Sequence, residues 1–208
     1  MAMNFSSQLI NDAVSEFAKL PGIGPKTALR LVLHLLKQPK EQSEMFASVV
    51  KKMREEILFC KECFNYSDNA TCTICQSTTR DRNKICVVEN IRDIIAIENT
   101  MVYTGLYHVL GGVISPVDGI GPDQLNIQSL LDRIEKENCT ELIMALNPNM
   151  QGDTTLFYIS KKLKEKSIKI TSIARGVAFG GELEYTDDLT LARSFASRLP
   201  FENYLVGG

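Results

Sequence analysis

CKECFNYSDNATCTIC, residues 60–75, decides how the rest of the chain is read. It sets Cys60-x2-Cys63 and Cys72-x2-Cys75 eight residues apart. A thiolate pair at this spacing grips one ion from a single turn. Two such pairs close a four-sulfur shell that suits Zn²⁺ and leaves no open position for a substrate. Asn65, Ser67, Asp68 and Asn69 supply the turn formers that the short gap needs. The residues alone leave two disulfides or four free thiols as alternatives. A redox Cys-x-x-Cys would need one pair rather than two. One structural zinc ion per chain is expected, in a finger spanning 60–83.

Upstream the pattern is helical. Leu9, Ile10, Ala13, Val14 and Phe17 recur at helical spacing, predicting a helix from Ser7 to Leu20. Pro21-Gly22-Ile23-Gly24-Pro25 interrupts it, and Ala28 to Leu36 give a second helix with Pro25 in its first turn. A third runs through Met45, Phe46, Val49, Val50, Met53 and Ile57 to the first cysteine. Residues 1–59 thus read as a helical domain.

Downstream the texture changes. Apolar strand candidates at Ile85–Val88, Tyr107–Leu110, Leu142–Leu146 and Ile168–Ile173 alternate with helix-like stretches at Ile91–Glu98, Ile127–Glu137 and Thr154–Lys166. Such alternation predicts an α/β domain over 84–176, a mostly parallel sheet flanked by helices. Thr186, Asp187 and Asp188 open a last helix through Leu191, Phe195 and Leu199, in a C-terminal segment over 177–208.

With 208 residues, 44% hydrophobic and 23% charged, the chain is ordinary for a globular protein. No apolar run is long enough to span a bilayer, and the N-terminus lacks a basic segment followed by an apolar core. A cytoplasmic location without a membrane partner is therefore expected, where cysteines persist as thiols or metal ligands. Cys86 and Cys139, beside apolar runs, read as core residues. His34 and His108 read as packed in a helix and a strand. The net charge of -2 divides into +3 over residues 1–86 and -5 over 87–208. That division puts any nucleic-acid contact in the first part.

Phe17-x2-Leu20-Pro21-Gly22-Ile23-Gly24-Pro25-x2-Ala28-x2-Leu31 resembles the helix-hairpin-helix family of DNA-binding motifs. Gly22 and Gly24 would adopt φ > 0 and let backbone approach a phosphate closely. The amides between the helices, with the positive end of the second, form an anion site. Lys26 and Arg30, four apart, can face one strand, and Lys19 can join them. Such chemistry grips phosphates and reads no bases. A second Gly-Ile-Gly-Pro, at 119–122, is flanked by Asp118 and Asp123. Acid has the wrong sign for an anion site, so a surface loop is expected there.

Asn147-Pro148-Asn149-Met150-Gln151-Gly152-Asp153 lies between a predicted strand and helix. It resembles the metal-binding Asp-x-Asp segment of the TOPRIM family, which in type IA topoisomerases typically reads Asp-Pro-Asp-Arg-Glu-Gly-Glu. Glu89 matches that family's first-strand glutamate, but three acids are here Asn147, Asn149 and Gln151. Mg²⁺ favours charged oxygen ligands, so a catalytic metal should be weak or absent.

The order of these three parts, with Leu-Pro-Gly-Ile-Gly-Pro-Lys (20–26), Gly-Leu-Tyr-His-Val-Leu-Gly-Gly (105–112), Ser-Pro-x-Asp-Gly-Ile-Gly-Pro (115–122) and Gly-Gly-Glu-Leu-Glu-Tyr (180–185), resembles the RecR family of recombination mediators over nearly the whole chain. That family usually has Glu where Gln151 stands. The resemblance implies a non-enzymatic DNA-repair adaptor that binds single- and double-stranded DNA. It implies a ring-shaped homotetramer able to encircle DNA, and partnership with RecO and RecF. It also implies help in loading RecA onto strands coated by single-strand-binding protein. Glu89 and Asp153 would then face a protein partner, and Leu199 to Leu205 a subunit contact. The competing reading is a metal-dependent TOPRIM nuclease. A P-loop is excluded, since no G-x-x-x-x-G-K-[ST] run occurs.

Overall fold

Two segments fold around separate cores, divided after Ile57. The computed structural model describes residues 6–198 and 200. In the first unit α1 (Gln8–Ala18), α2 (Pro25–Lys37) and α3 (Lys40–Glu56) follow one another. Val14 of α1 packs on Ala28 and Val32 of α2, with Ile10, Phe17 and Ile23 around them. These are the i, i+4 positions that the periodicity singles out. On α3, Met45, Phe46, Val49, Val50 and Met53 remain exposed.

The second unit begins with a two-residue ribbon, β1 (Leu58–Phe59) paired antiparallel to β2 (Tyr66–Ser67), followed by the single turn α4 (Thr73–Gln76). Neither is long enough to leave a periodic signature. Next come β3 (Asp81–Val88), α5 (Ile91–Glu98), β4 (Gly105–Val109), α6 (Ile127–Lys136), β5 (Glu141–Ala145), α7 (Met150–Lys162), β6 (Lys169–Ser172) and α8 (Asp188–Ala196). The sheet order is β4-β3-β5-β6, parallel throughout. The expected α/β architecture, with helices first and a cysteine knuckle before a parallel sheet, is the one found.

The central strand β3 is apolar on both faces. Ile85 and Val87 enter a core with Leu130 and Ile134 of α6 and Ile159 of α7. Cys86 and Val88 face Ile94 of α5 and Tyr107. A parallel strand covered on both sides needs such an unbroken apolar run, and each large side chain so buried contributes roughly 1.5–3 kcal/mol.

Three local expectations shift. The helix predicted from Thr154 begins at Met150, because the side chain of Asn149 accepts the Gly152 amide at 2.8 Å and caps it earlier. The last helix is capped by Asp187, whose carboxylate accepts the Thr190 amide at 2.9 Å, and it ends at Ala196. Leu199 and residues 201–205, the expected subunit contact, lie outside the described residues. His34 is not packed: it stands exposed on α2, with only Gln38 at 3.5 Å.

His108 of β4 is fully buried. Its Nε2 donates to the Asn126 carbonyl at 2.8 Å, while Nδ1 has no partner among the described residues. Burial pushes its pKa down to about 4 from 6.5. The unfolded chain therefore binds a proton that the folded chain refuses between these values, and stability falls as pH drops through that window. Urea unfolding at pH 5 should lose about 2 kcal/mol of this contribution relative to pH 7. His108→Gln should flatten the pH dependence by that amount. Equal slopes for wild type and variant would refute it.

Candidate metal centre and nucleic-acid interface

Cys60 follows β1, Cys63 ends the ensuing turn, Cys72 caps α4 and Cys75 lies within it. The turn is held by Phe64 N donating to the Cys60 carbonyl (2.9 Å) and Cys60 N donating to that of Asn65 (2.8 Å). Phe64 takes a left-handed φ of 63° to allow it. All four side chains are buried, and their sulfurs lie within 4.8 Å of one another. Cys63 Sγ and Cys72 Sγ are 3.5 Å apart. A tetrahedron with Zn–S near ~2.3 Å has edges of about 3.8 Å, whereas a disulfide needs about 2.05 Å. The disulfide alternative fails on distance. The Cys72 amide also points at Cys60 Sγ (3.3 Å), as suits a thiolate acceptor. Hydrogen bonds from Cys63, then Cys75, draw the Cys72 pKa down, while the same crowding of sulfurs raises Cys63 and Cys75. The donor set and geometry fit one Zn²⁺, held by Cys60, Cys63, Cys72 and Cys75. The other two cysteines are core residues, and burial raises the Cys86 thiol to about 12.

In the first unit the hairpin 19–25 joins α1 to α2. Gly22 sits at φ +79°, as expected. Gly24 does not: at φ −82°, ψ 166° it is extended backbone at the cap of α2. A Cβ at either position would meet nothing within 4 Å. No side chain caps α2. Among the described residues the amides of Gly22, Gly24 and Lys26 donate to no group. Lys26 and Arg30 are exposed and have no ion pair there either. Lys19 bonds Glu16 at 2.5 Å, in an exposed pair worth little. His34 and Lys37 continue the Lys26–Arg30 stripe, and all four line one shallow groove with Leu29 and Leu33. Extending the i, i+4 count along α2 would have found His34, and one i, i+3 step from there Lys37.

The second Gly-Ile-Gly-Pro has nearly the same backbone. Gly119 is at φ +71° and Gly121 at φ −91°, ψ 169°, with Pro122 opening a 3₁₀ turn. Here, however, Gln124 Oε1 accepts the Gly121 amide at 2.8 Å. The loop fills its own anion site.

At the carboxyl ends of β3 and β5 the TOPRIM-like residues meet. Asn147 Nδ2 donates to Glu89 Oε2 at 2.6 Å. Asn149 uses its carbonyl oxygen as the α7 cap. A Cβ on Gly152 would lie 2.1 Å from the Asn147 carbonyl, so the tight packing of loop on helix requires glycine there. Asp153 is held by Arg175 Nη2 at 2.6 Å and Arg193 Nη2 at 3.6 Å, and Arg175 foremost lowers its pKa. Both arginines lie beyond the sheet and carry no local signal of this pairing. Among the described residues, the four cysteines are the only cluster of three or more Cys, His, Asp or Glu able to share an ion.

Four family models match in succession: the RecR helix-hairpin-helix over residues 10–54, the RecR four-cysteine zinc finger domain over 57–77, the Toprim domain over 83–174 and the RecR C-terminal region over 176–198. The chain is 57% identical over 201 residues to the "Recombination protein RecR" of Cytophaga hutchinsonii, covering 96% of this chain and 98% of that one. It is 56% identical over 200 residues to that of Flavobacterium johnsoniae, covering 96% and 97%. Against that of Porphyromonas gingivalis W83 it is 52% identical over 203 residues, covering 98% of each.

Protein purified without chelators should carry about one zinc ion per chain by elemental analysis. Cys72→Ser should lose it and unfold at lower temperature, because metal binding and folding of the knuckle are coupled. Cys86→Ser should keep it. A zinc-free wild type, or equal zinc loss in Cys86→Ser, would contradict the assignment.

Proposed function

The chain belongs to the RecR family, and on that premise we propose that it is a DNA-binding recombination mediator in repair and not an enzyme. One observation carries the DNA part: an unpaired cation pair, Lys26 and Arg30, beside uncapped amides and glycines with open space around them. Neither φ nor internal packing requires glycine at 24. Close approach of an external group, a phosphate, accounts for it. Lys19 joins the site when it releases Glu16. Contacts of this kind hold single and double strands without reading sequence.

The family premise supports the finer reading. The chain acts with RecO and RecF to load RecA onto single-stranded DNA covered by single-strand-binding protein. Four copies form a ring, with the segment 177–208 at subunit contacts. Domains run over 1–59, 60–83, 84–176 and 177–208. A centre of reduced thiolates suits the cytoplasm.

The sheet edge supports docking rather than catalysis. Its amides add no charge, and Asp153 is neutralised by two arginines. A scissile phosphate needs one or two well-fixed metals to stabilise developing charge. Glu89 and Asp153 then serve as a polar rim for a protein partner, Asp153 through the arginines it orders.

Lys26→Ala with Arg30→Ala should weaken DNA binding for all sequences alike. It should reduce the slope of log K against log salt by about two for duplex. Unchanged binding at every salt concentration would remove the hairpin assignment. Glu89→Ala with Asp153→Ala should leave DNA binding near normal and weaken association with RecO or RecF. Unchanged partner affinity would end the docking role. Cleavage of labelled DNA that needs Mg²⁺ or Mn²⁺ and vanishes in Glu89→Ala would instead establish the nuclease.

A further inference from the structure

Arg133 lies in α6 with its side chain only 5% exposed. A guanidinium does not shed its proton in a protein, so burying it demands partners. Nε donates to Glu137 Oε1 at 2.9 Å. Nη1 donates to the Tyr107 carbonyl at 2.7 Å and the Glu62 carbonyl at 3.2 Å. Nη2 points at Cys75 Sγ from 3.7 Å. One planar group therefore touches α6, the strand β4, the turn between Cys60 and Cys63, and a sulfur of the metal centre. Arg82 reinforces the same seam: it donates to the Cys75 carbonyl at 3.0 Å and approaches Glu137 at 3.6 Å and Glu62 at 3.9 Å.

Four thiolates around Zn²⁺ carry a net charge of two minus, and these sulfurs are buried. An uncompensated charge there is costly. Lysine could supply a charge but not this fork, which reaches two carbonyls and a sulfur at once. We propose that Arg133 is a positioning residue for the zinc centre: it stabilises the metal-bound thiolates from behind Cys75 and fastens the knuckle to the parallel sheet.

This rests on zinc occupying the four-cysteine site, and the test separates the two ideas. Zinc release into excess chromophoric chelator is timed for wild type, Arg133→Gln, Arg133→Lys and Arg80→Gln, below the unfolding temperature of each. Arg80 is a matched control: it too is largely buried against the sheet, bonded to Glu98 and the Gly105 carbonyl, without a sulfur contact. Arg133→Gln should release zinc about 10- to 100-fold faster, and Arg133→Lys should fall between it and wild type. In cobalt-substituted protein the thiolate-to-metal charge-transfer band should move to lower energy in Arg133→Gln, because losing the cation raises the sulfur lone pairs. It should return towards the wild-type position in Arg133→Lys. Arg80→Gln should change neither quantity, though it lowers stability.

Unaltered zinc release and an unmoved band in Arg133→Gln would reduce the arginine to a strut. Equally fast release in Arg80→Gln would do the same. If Arg133→Gln fails to fold, release from Arg133→Lys as slow as wild type overturns the proposal. A wild type without zinc overturns the metal reading instead.

Discussion

Four sulfurs have to meet at one point, and among the described residues of 58–77 the cysteines are the only fully buried apolar side chains. The buried cluster in this stretch consists of the cysteines themselves, with Ile74 the single partly buried apolar side chain packed on it. A two-residue ribbon and one helical turn are too short to be stable unaided. Metal ligation therefore takes the place of a hydrophobic core. The sheet beside it obeys the opposite logic, since β3 and its neighbours are ordered by apolar burial on both faces.

Long, strongly patterned elements are legible in the chain because burial imposes their period. The helix at Ile91–Glu98 is legible to its ends, since Asn90 and Asp93 form a reciprocal cap at its start and Asn99 closes it. The ribbon 58–67 is not legible, because two residues per strand carry no alternation. The start of α7 escapes for a related reason: by sequence Asn149 looks like a displaced metal ligand, while its local bond makes it a cap. Ligand-type residues betray themselves by spacing when they act in one turn, as the cysteines do. Asp153 of α7 pairs with Arg175 in the loop after β6 and with Arg193 of α8, so no short window of sequence contains the pairing.

The TOPRIM-like edge shows how amide substitution alters a site without disturbing its frame. A pair of carboxylates at positions 89 and 147 would repel unless a cation lay between them. With Asn147 the same two positions attract, and the 2.6 Å bond ties the ends of β3 and β5 directly. The tight approach at Gly152 survives, so the loop keeps its course although its charge has gone.

The two Gly-Ile-Gly-Pro turns can be compared as rivals for one kind of ligand. Their backbones differ by only a few degrees at the second glycine, so the motif alone does not decide which can accept an anion. The decision falls to the residue three positions on. Gln124 reaches back to the Gly121 amide, whereas no side chain caps α2 at Gly24. Tethered by its own backbone, Gln124 acts as a competitor at an effective concentration of about millimolar or higher. Self-occupancy makes one turn inert and its absence leaves the other receptive, a distinction invisible to any count of motif matches.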